Sequence, residues 1–575
     1  MKFSKFTQYL EKLEETSSRL SLIEILSQLF KETPASEIEK IVYLIQGRIA
    51  PFFEATEIGM AEKSVAAALA NAYGSNKEKV LSLFNKLGDM GKTAYELAKT
   101  SKSSNLTVSE AFETLREIAK TKGEGTVEKR QALLSGLLKK VDAVSAKHLV
   151  RIPLGNTRLG IGDPTILDAL ATAKLGDKSK RKLLEGAYNR TSDLGLIAKT
   201  LWEKGLGSVE KLQVRVGSPI RSELCERLPT AEKVIEKMGQ VDVQYKYDGF
   251  RVQIHKDGDT VRMFSRNLEE MTHMFPELIK GALSQVKAKT AILDTEALAY
   301  NPDSEEFLPF QETTKRRRKH GIEEAAIKLP LKAFVFDILY KDGKQLLDKP
   351  LTERIKILKE TIKEDGVLIR TKNQTVGDPK ELSILLEDAI SKGLEGLVVK
   401  KLQSPYEAGG RNFNWVKLKR HSDGELSDTI DCVILGYIAG RGKRTAFGAG
   451  ALLVGVYEKD KDEFVSISRI GTGLTDEEWK EIHKRADKIK VDHKPARVNS
   501  LIVPSVWIAP EIVIEVLADE ITRSPLHTAG KTESELGFAL RFPRLVSFRG
   551  KDKSAEDATQ VSEIKRLYEN QYKKK

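Results

Sequence analysis

At 575 residues the chain exceeds what one hydrophobic core supports and implies three or four domains of ordinary size. With 40% hydrophobic and 31% charged residues and no apolar run long enough to cross a bilayer, it reads as globular with no membrane partner; two cysteines, neither at metal-ligand spacing from another, exclude a disulfide framework and a cysteine zinc site. The formal charge of +12 favours polyanionic partners, because neutralising phosphates releases counterions.

The N-terminal MKFSKFTQYLEKLEE alternates charged and apolar residues and lacks the apolar core of a secretory signal, so the chain is expected inside the cell. Residues 1 to about 210 carry helical periodicity: Ser36-Glu37-Ile38-Glu39 has the pattern of a capping box, with Ile38, Ile41, Val42 and Ile45 at helical spacing. An all-α domain is predicted over 1–215, followed by a Gly/Pro-bearing linker, VGSPIRSEL, at 216–224. From residue 241 the period becomes two. Val241, Val243 and Tyr245 share a strand face, Asp248-Gly249 reads as a hairpin turn, and Val252 and Ile254 continue the alternation. A second turn at Lys256 to Asp259 leads into Val261–Phe264, predicting an antiparallel meander at the start of an α+β domain over 216–421. Beyond Asp428, strands such as IDCVILGYI and ALLVGVY, separated by Gly-rich turns, predict a small β-barrel over 422–575.

A hairpin alone would account for Asp248-Gly249, but four further strand-like segments carry charge suited to phosphate chemistry: LDTEALAY (293–300), EGLVVK (395–400), WVKLKR (415–420) and RFPR (541–544). Alternation places Val416 and Leu418 on one face of WVKLKR and Trp415, Lys417 and Lys419 on the other. Asp294 and Glu296 likewise share a face. Each feature has a bland counterpart, a solvated strand face or a structural ion pair; carboxylates beside lysines are also what a hard divalent cation bridging phosphates requires.

In combination the segments KYDGFR (246–251), SRN (265–267), LDTEALAY, AFVFDILY (333–340), EGLVVK, WVKLKR and RFPR resemble, in order and spacing, the ATP-dependent DNA ligases of the archaeal and eukaryotic replicative type, within the covalent nucleotidyltransferases. RLGIGDPTILDAL (158–170) resembles that family's DNA-binding domain. The resemblance implies a helical DNA-binding domain, a nucleotidyltransferase domain and a C-terminal OB-fold. It implies that Lys246 attacks the α-phosphate of ATP, which requires a neutral amine; neighbouring cations and desolvation favour that form. It further assigns Arg251 and Arg266 to ribose or phosphate, Phe336 to adenine stacking, and Glu296 and Glu395 to ribose and Mg²⁺, with Mn²⁺ as the alternative ion. Lys400, Lys417 and Lys419 match phosphate-binding lysines, Arg541 matches the late motif that orients pyrophosphate, and Arg158, Arg441 and Lys443 match DNA-facing positions. The implied activity is sealing of nicked duplex DNA through lysyl-AMP and DNA-adenylate, in replication, repair and recombination, by a monomer in the cytoplasm near the nucleoid or in a nucleus. An RNA ligase, a capping guanylyltransferase and a catalytically dead scaffold are the alternatives; the long helical region, RFPR and the intact lysine–glutamate set argue against them.

Gln244 stands where many relatives carry an acidic residue. Its amide accepts or donates, so tolerance of GTP, and use of ADP, enter as expectations. Gln46 to Phe53 fits a sliding-clamp docking pattern, but the favoured reading packs Ile49, Phe52 and Phe53 in the helical core. The run Lys315 to Lys319 reads first as a solvated loop and second as a DNA contact.

Overall fold

The structure is a computed structural model. It describes the chain except residues 55, 103, 301–306, 309, 319, 364–365, 392–393, 420–427, 439–450, 472–473, 542, 550–551 and 573–575. Helices run from Phe3–Glu15 to Leu206–Glu210 around one core that includes Phe6, Leu26, Ile41, Leu69, Leu115, Leu149 and Leu170. Ile38, Ile41, Val42 and Ile45 are buried on the helix Ala35–Ile45, as their spacing predicts. The capping box does not form. Pro34 occupies the N-cap in an extended conformation, and Glu37 instead accepts from the Met1 amine and, at 2.9 Å, from Ser109 Oγ.

Residues 216–224 are not a free linker. Gly217 N donates to His255 Nδ1 at 2.9 Å and Ile220 N to Gln253 Oε1 at 2.8 Å, while Ile220 itself is buried beside Val214, Leu339 and Trp415. These bonds satisfy backbone groups that burial would otherwise strand.

The middle of the chain forms two sheets. Strands β1 (Leu224–Arg227), β2 (Val241–Lys246), β9 (Gln374–Val376), β10 (Gly396–Lys401) and β11 (Arg411–Lys419) make one, in the order β1-β11-β10-β2-β9. Strands β3 (Phe250–Asp257), β4 (Thr260–Ser265), β5 (Thr290–Ala299), β6 (Leu331–Lys341) and β7 (Lys344–Gln345) make the other, with β8 (Leu368–Arg370) parallel to β6. The turn at Lys256 to Asp259 is a hairpin, since Asp257 pairs with Thr260. The turn at Asp248-Gly249 is not: β2 pairs with β10 and β9, and β3 with β4 and β5, so KYDGFR crosses from one sheet to the other. Close approach, not turn geometry, demands glycine at 249, where a Cβ would stand 2.3 Å from the Ala297 carbonyl oxygen.

The C-terminal domain is sheet-rich: β12 (Ile430–Ile438), β13 (Ala451–Glu458) and β14 (Glu463–Ile470) are neighbours in an eight-stranded sheet, and a hairpin joins Glu520–Ser524 to Gly537–Arg541. It docks on both other domains. Asp462, fully buried, accepts from Thr165 Oγ1 at 2.9 Å and Arg19 Nε at 3.4 Å of the helical domain, and from Arg497 and Tyr457 of its own. Among the described residues no helix is long and apolar enough to cross a membrane.

Candidate active site

Alternation on β2 sends Val241, Val243 and Tyr245 toward an apolar cluster with Leu397, Val399, Val416 and Leu418, leaving Asp242, Gln244 and Lys246 on the opposite face. Register extends that face into three rows: Asp242–Lys400–Trp415, Gln244–Val398–Lys417 and Lys246–Gly396–Lys419. Gly396, at φ 142°, lies between two lysines where a Cβ would meet the Leu418 carbonyl oxygen at 2.3 Å. From the other sheet Arg251, Glu296 and Phe336 line the same cavity, about 690 Å³ in volume, and the C-terminal domain closes it with Asp431, Arg549, Lys553 and Glu563.

Lys246 Nζ donates to Glu395, whose other oxygen accepts from Lys419 Nζ at 3.1 Å; Lys419 also pairs with Asp428 at 3.2 Å. Burial, and then the Lys419 charge, pull Lys246 down to about 8 from the usual 10.5. Glu296 is pushed up to about 7 by burial, against the attraction of Lys246, Arg251 and Arg266. Burial and Arg227 lower Lys417 to about 7. Lys400 is wholly buried, with its ammonium 3.9 Å from the Trp415 ring centre and 4.8 Å from that of Phe336.

Thus Gln244, Lys246, Arg251, Arg266, Glu296, Phe336, Glu395, Lys400, Lys417 and Lys419, scattered over 176 positions of sequence, line one cavity. Arg251 is committed within it: its guanidinium forks onto buried Asp294 at 2.9 and 2.5 Å and donates to the Glu223 carbonyl at 2.7 Å. Arg266 faces Asp557 of the C-terminal domain at 3.5 Å. Arg541 stands exposed on the C-terminal domain, 3.9 Å from Glu520, and is not among the residues lining the cavity. Arg158, at φ 57°, pairs with Asp89 at 2.8 Å and donates to the Lys490 carbonyl at 2.9 Å, so the C-terminal domain covers it. Arg441 and Lys443 lie outside the described residues.

Two other expectations meet the structure. Ile49 and Phe53 are buried, Phe53 edge-on to Phe264 of the middle domain at 6.2 Å, whereas Phe52 is 36% exposed beneath Arg48. The basic run is solvated only in part: Lys315 and Arg318 are exposed, but Arg316 is buried and donates to Glu277 at 2.7 Å, Arg317 pairs with Glu269 at 3.0 Å, and Lys319 lies outside the described residues.

Sequence reasoning missed Glu563, on the helix Val561–Tyr572. Its buried carboxylate meets Arg411, Arg227 at 3.2 Å and Lys417 at 3.7 Å. It also missed the stack of Tyr247 on Phe334, 3.8 Å between ring centres. No sequence signal marks either, since both pairings join segments remote in the chain.

Glu296 and Glu395 bring two hard oxygen donors to the cavity that holds the lysines, a donor set that suits a divalent cation completed by phosphate oxygens and water, with Glu395 first giving up its contacts to Lys246 and Lys419. The tight ligand-like cluster elsewhere among the described residues, Glu11, Glu14 and His148, is already ion-paired with Lys147 and Arg151.

An amine brought toward neutrality in a crevice of cations and carboxylates is the equipment of a covalent nucleotidyltransferase. Family models described as DNA ligase N terminus, ATP dependent DNA ligase domain and ATP dependent DNA ligase C terminal region match residues 2–171, 222–419 and 445–553. The probable DNA ligase of Dictyoglomus turgidum is 47% identical over 575 residues, covering 100% of this chain and 99% of its own; the DNA ligase of Sulfolobus acidocaldarius is 39% identical over 593, with 100% and 99% covered. A solved structure described as Pmar-Lig_PreS3 covers 95% of this chain and 99% of its own at a TM-score of 0.43 and 16% identity. The chain belongs to the ATP-dependent DNA ligase family. It is an enzyme that seals nicks in DNA through an adenylate intermediate, using ATP and a divalent metal.

Proposed function

We propose that Lys246 carries the adenylate. Its neutral Nζ attacks the α-phosphorus of ATP, forming the P–N bond as the bond to pyrophosphate breaks. Glu395, already against Nζ, orients the amine for the attack, and the displaced proton passes to water. In the second step a 5′-phosphate oxygen at the nick attacks the same phosphorus and Lys246 leaves, recovering a proton. In the third, the adjacent 3′-hydroxyl attacks the DNA phosphate and AMP departs. The observation carrying this reading is the position of Lys246 between Glu395 and Lys419, with its pKa drawn to about 8.

Gln244, Val398 and Phe336 suit the base end of the crevice, and Lys417 and Lys419 the phosphate end. Lys400, which the resemblance assigns to phosphate, we place instead at the base end, because its ammonium lies against the Trp415 and Phe336 rings, and Arg251, locked on Asp294, supports the ribose side. Mg²⁺, held by Glu296 and Glu395, would neutralise charge developing on phosphate oxygens, with Mn²⁺ as a substitute. Arg266 serves the DNA 5′-phosphate. Arg541 reaches pyrophosphate only after the C-terminal domain turns, and the same turn uncovers Arg158 for DNA; Arg441 and Lys443 are assigned to DNA by their match to the family's motifs alone. Gln244 admits GTP at reduced efficiency, because an amide can donate to a guanine carbonyl, and ADP serves as a weaker donor. We divide the chain at 1–215, 216–421 and 422–575, the last an OB-fold, and infer a monomer acting in replication and repair in the compartment that holds the DNA. Docking of Gln46–Phe53 on a sliding clamp would require Phe53 to leave Phe264, which disfavours it.

The test is transfer of label from α-labelled ATP to the protein, followed by sealing of a nicked duplex. Lys246→Ala should do neither while keeping its fold; label acquired by that variant at the parental rate refutes the assignment.

A further inference from the structure

Asp242 lies two residues before Gln244 on the same face of β2, and both side chains are almost fully buried, 2% and 3% exposed. Asp242 does not line the main cavity. It stands behind Gln244, where Asn373 Nδ2 donates to it at 2.8 Å and where Lys400 is its register partner on β10. Gln244 does line the cavity, beside Val398, Thr371 and Phe336. Its Nε2 is sealed from solvent and makes no hydrogen bond, so the nitrogen is the inward end of the amide and the oxygen is the end left to the cavity. A buried donor without a partner is costly, and the anionic acceptor next along the same strand face, on which the amide acts, is the Asp242 carboxylate. Burial pushes the Asp242 carboxyl up, and the Lys400 charge, Asn373 and the Gln244 amide pull it back toward the charged form.

We propose that Asp242 is a positioning residue for base selection: it draws Gln244 Nε2 inward, so that Oε1 faces the purine and accepts from the 6-amino group of adenine. Guanine presents a carbonyl at that edge and meets an acceptor. The amide, ambivalent by itself, is thereby made to behave like the carboxylate that many relatives carry, and the GTP tolerance expected of a bare glutamine is restrained. This inference rests on the reading that the base lies against Gln244.

The experiment measures kcat/KM for enzyme–nucleotide formation with α-labelled ATP and GTP on the full-length protein. Asp242→Asn, which keeps volume and an acceptor for Asn373, frees the amide to turn; the ATP:GTP ratio should fall on the order of tenfold, the value of one base-edge hydrogen bond, mainly through a gain with GTP. Asp242→Ser should act in the same direction. Adding Gln244→Glu to Asp242→Asn should restore the ATP preference, because a carboxylate needs no orienting. Gln244→Ala should lower the ratio by itself and abolish any further effect of Asp242→Asn. An unchanged ratio in Asp242→Asn beside a lowered one in Gln244→Ala overturns the role of Asp242 alone. An unchanged ratio in Gln244→Ala removes the base-end reading as well.

Discussion

If Lys246 titrates near 8, formation of the enzyme–adenylate must follow that titration. At pH 7.5 an ordinary lysine of pKa 10.5 is neutral in about one molecule in a thousand, while an amine of pKa about 8 is neutral in about one in four, a gain of roughly 200-fold in nucleophile. The assay is rapid-quench, single-turnover transfer from α-labelled ATP at saturating nucleotide and Mg²⁺, between pH 6 and pH 10. The logarithm of the rate should climb with slope near one below pH 8 and level off above it. Lys419→Met removes the strongest like charge acting on Nζ, so the bend should move to more alkaline pH. A rate still rising with unit slope to pH 10, or a bend that ignores Lys419→Met, would refute the argument that this cluster activates the amine.

Arg354 and Asp337 form a buried bidentate pair at 2.8 and 3.0 Å, so Arg354→Met should cost about 3–5 kcal/mol in denaturant unfolding, with most of it recovered in Arg354→Met/Asp337→Leu. Gly249→Ala forces a Cβ against the Ala297 carbonyl and should displace the Lys246 segment; adenylation should fall by more than tenfold, with destabilisation of about 1–3 kcal/mol by thermal melt. Asp462→Ala removes the shared acceptor that ties the C-terminal domain to Thr165 and Arg19, so small-angle scattering should report a larger radius of gyration and stopped-flow a faster association with nicked DNA. Unchanged values in both would mean that this contact does not govern opening.

Local pattern determined much of this protein. Period-two alternation in WVKLKR and around Val243 assigned the buried and cavity-facing sides of β11 and β2, because a strand's two faces are set by its backbone pleat. Ordered motifs identified Lys246 and its lysines and glutamates, since each motif is short and chemically distinctive. Pairing was another matter. Asp248-Gly249 has the chemistry of a hairpin turn, yet the strands on either side found partners in different sheets, β2 along the whole of β10 and β3 along β5, edges that come from segments remote in the chain. Ser36 and Glu39 have the spacing of a capping box, but Pro34 and the Met1 amine claimed that helix start. Arg316 reads as solvated until Glu277 is brought beside it. The plug of Glu563 into Arg227, Arg411 and Lys417, and the seat of Asp242 behind Gln244, depend on segments separated by up to some 340 residues, or on which of two strand faces is sealed. Short-range propensity acts within a few residues; burial, charge pairing and strand partnership are settled only when distant segments compete for the same space.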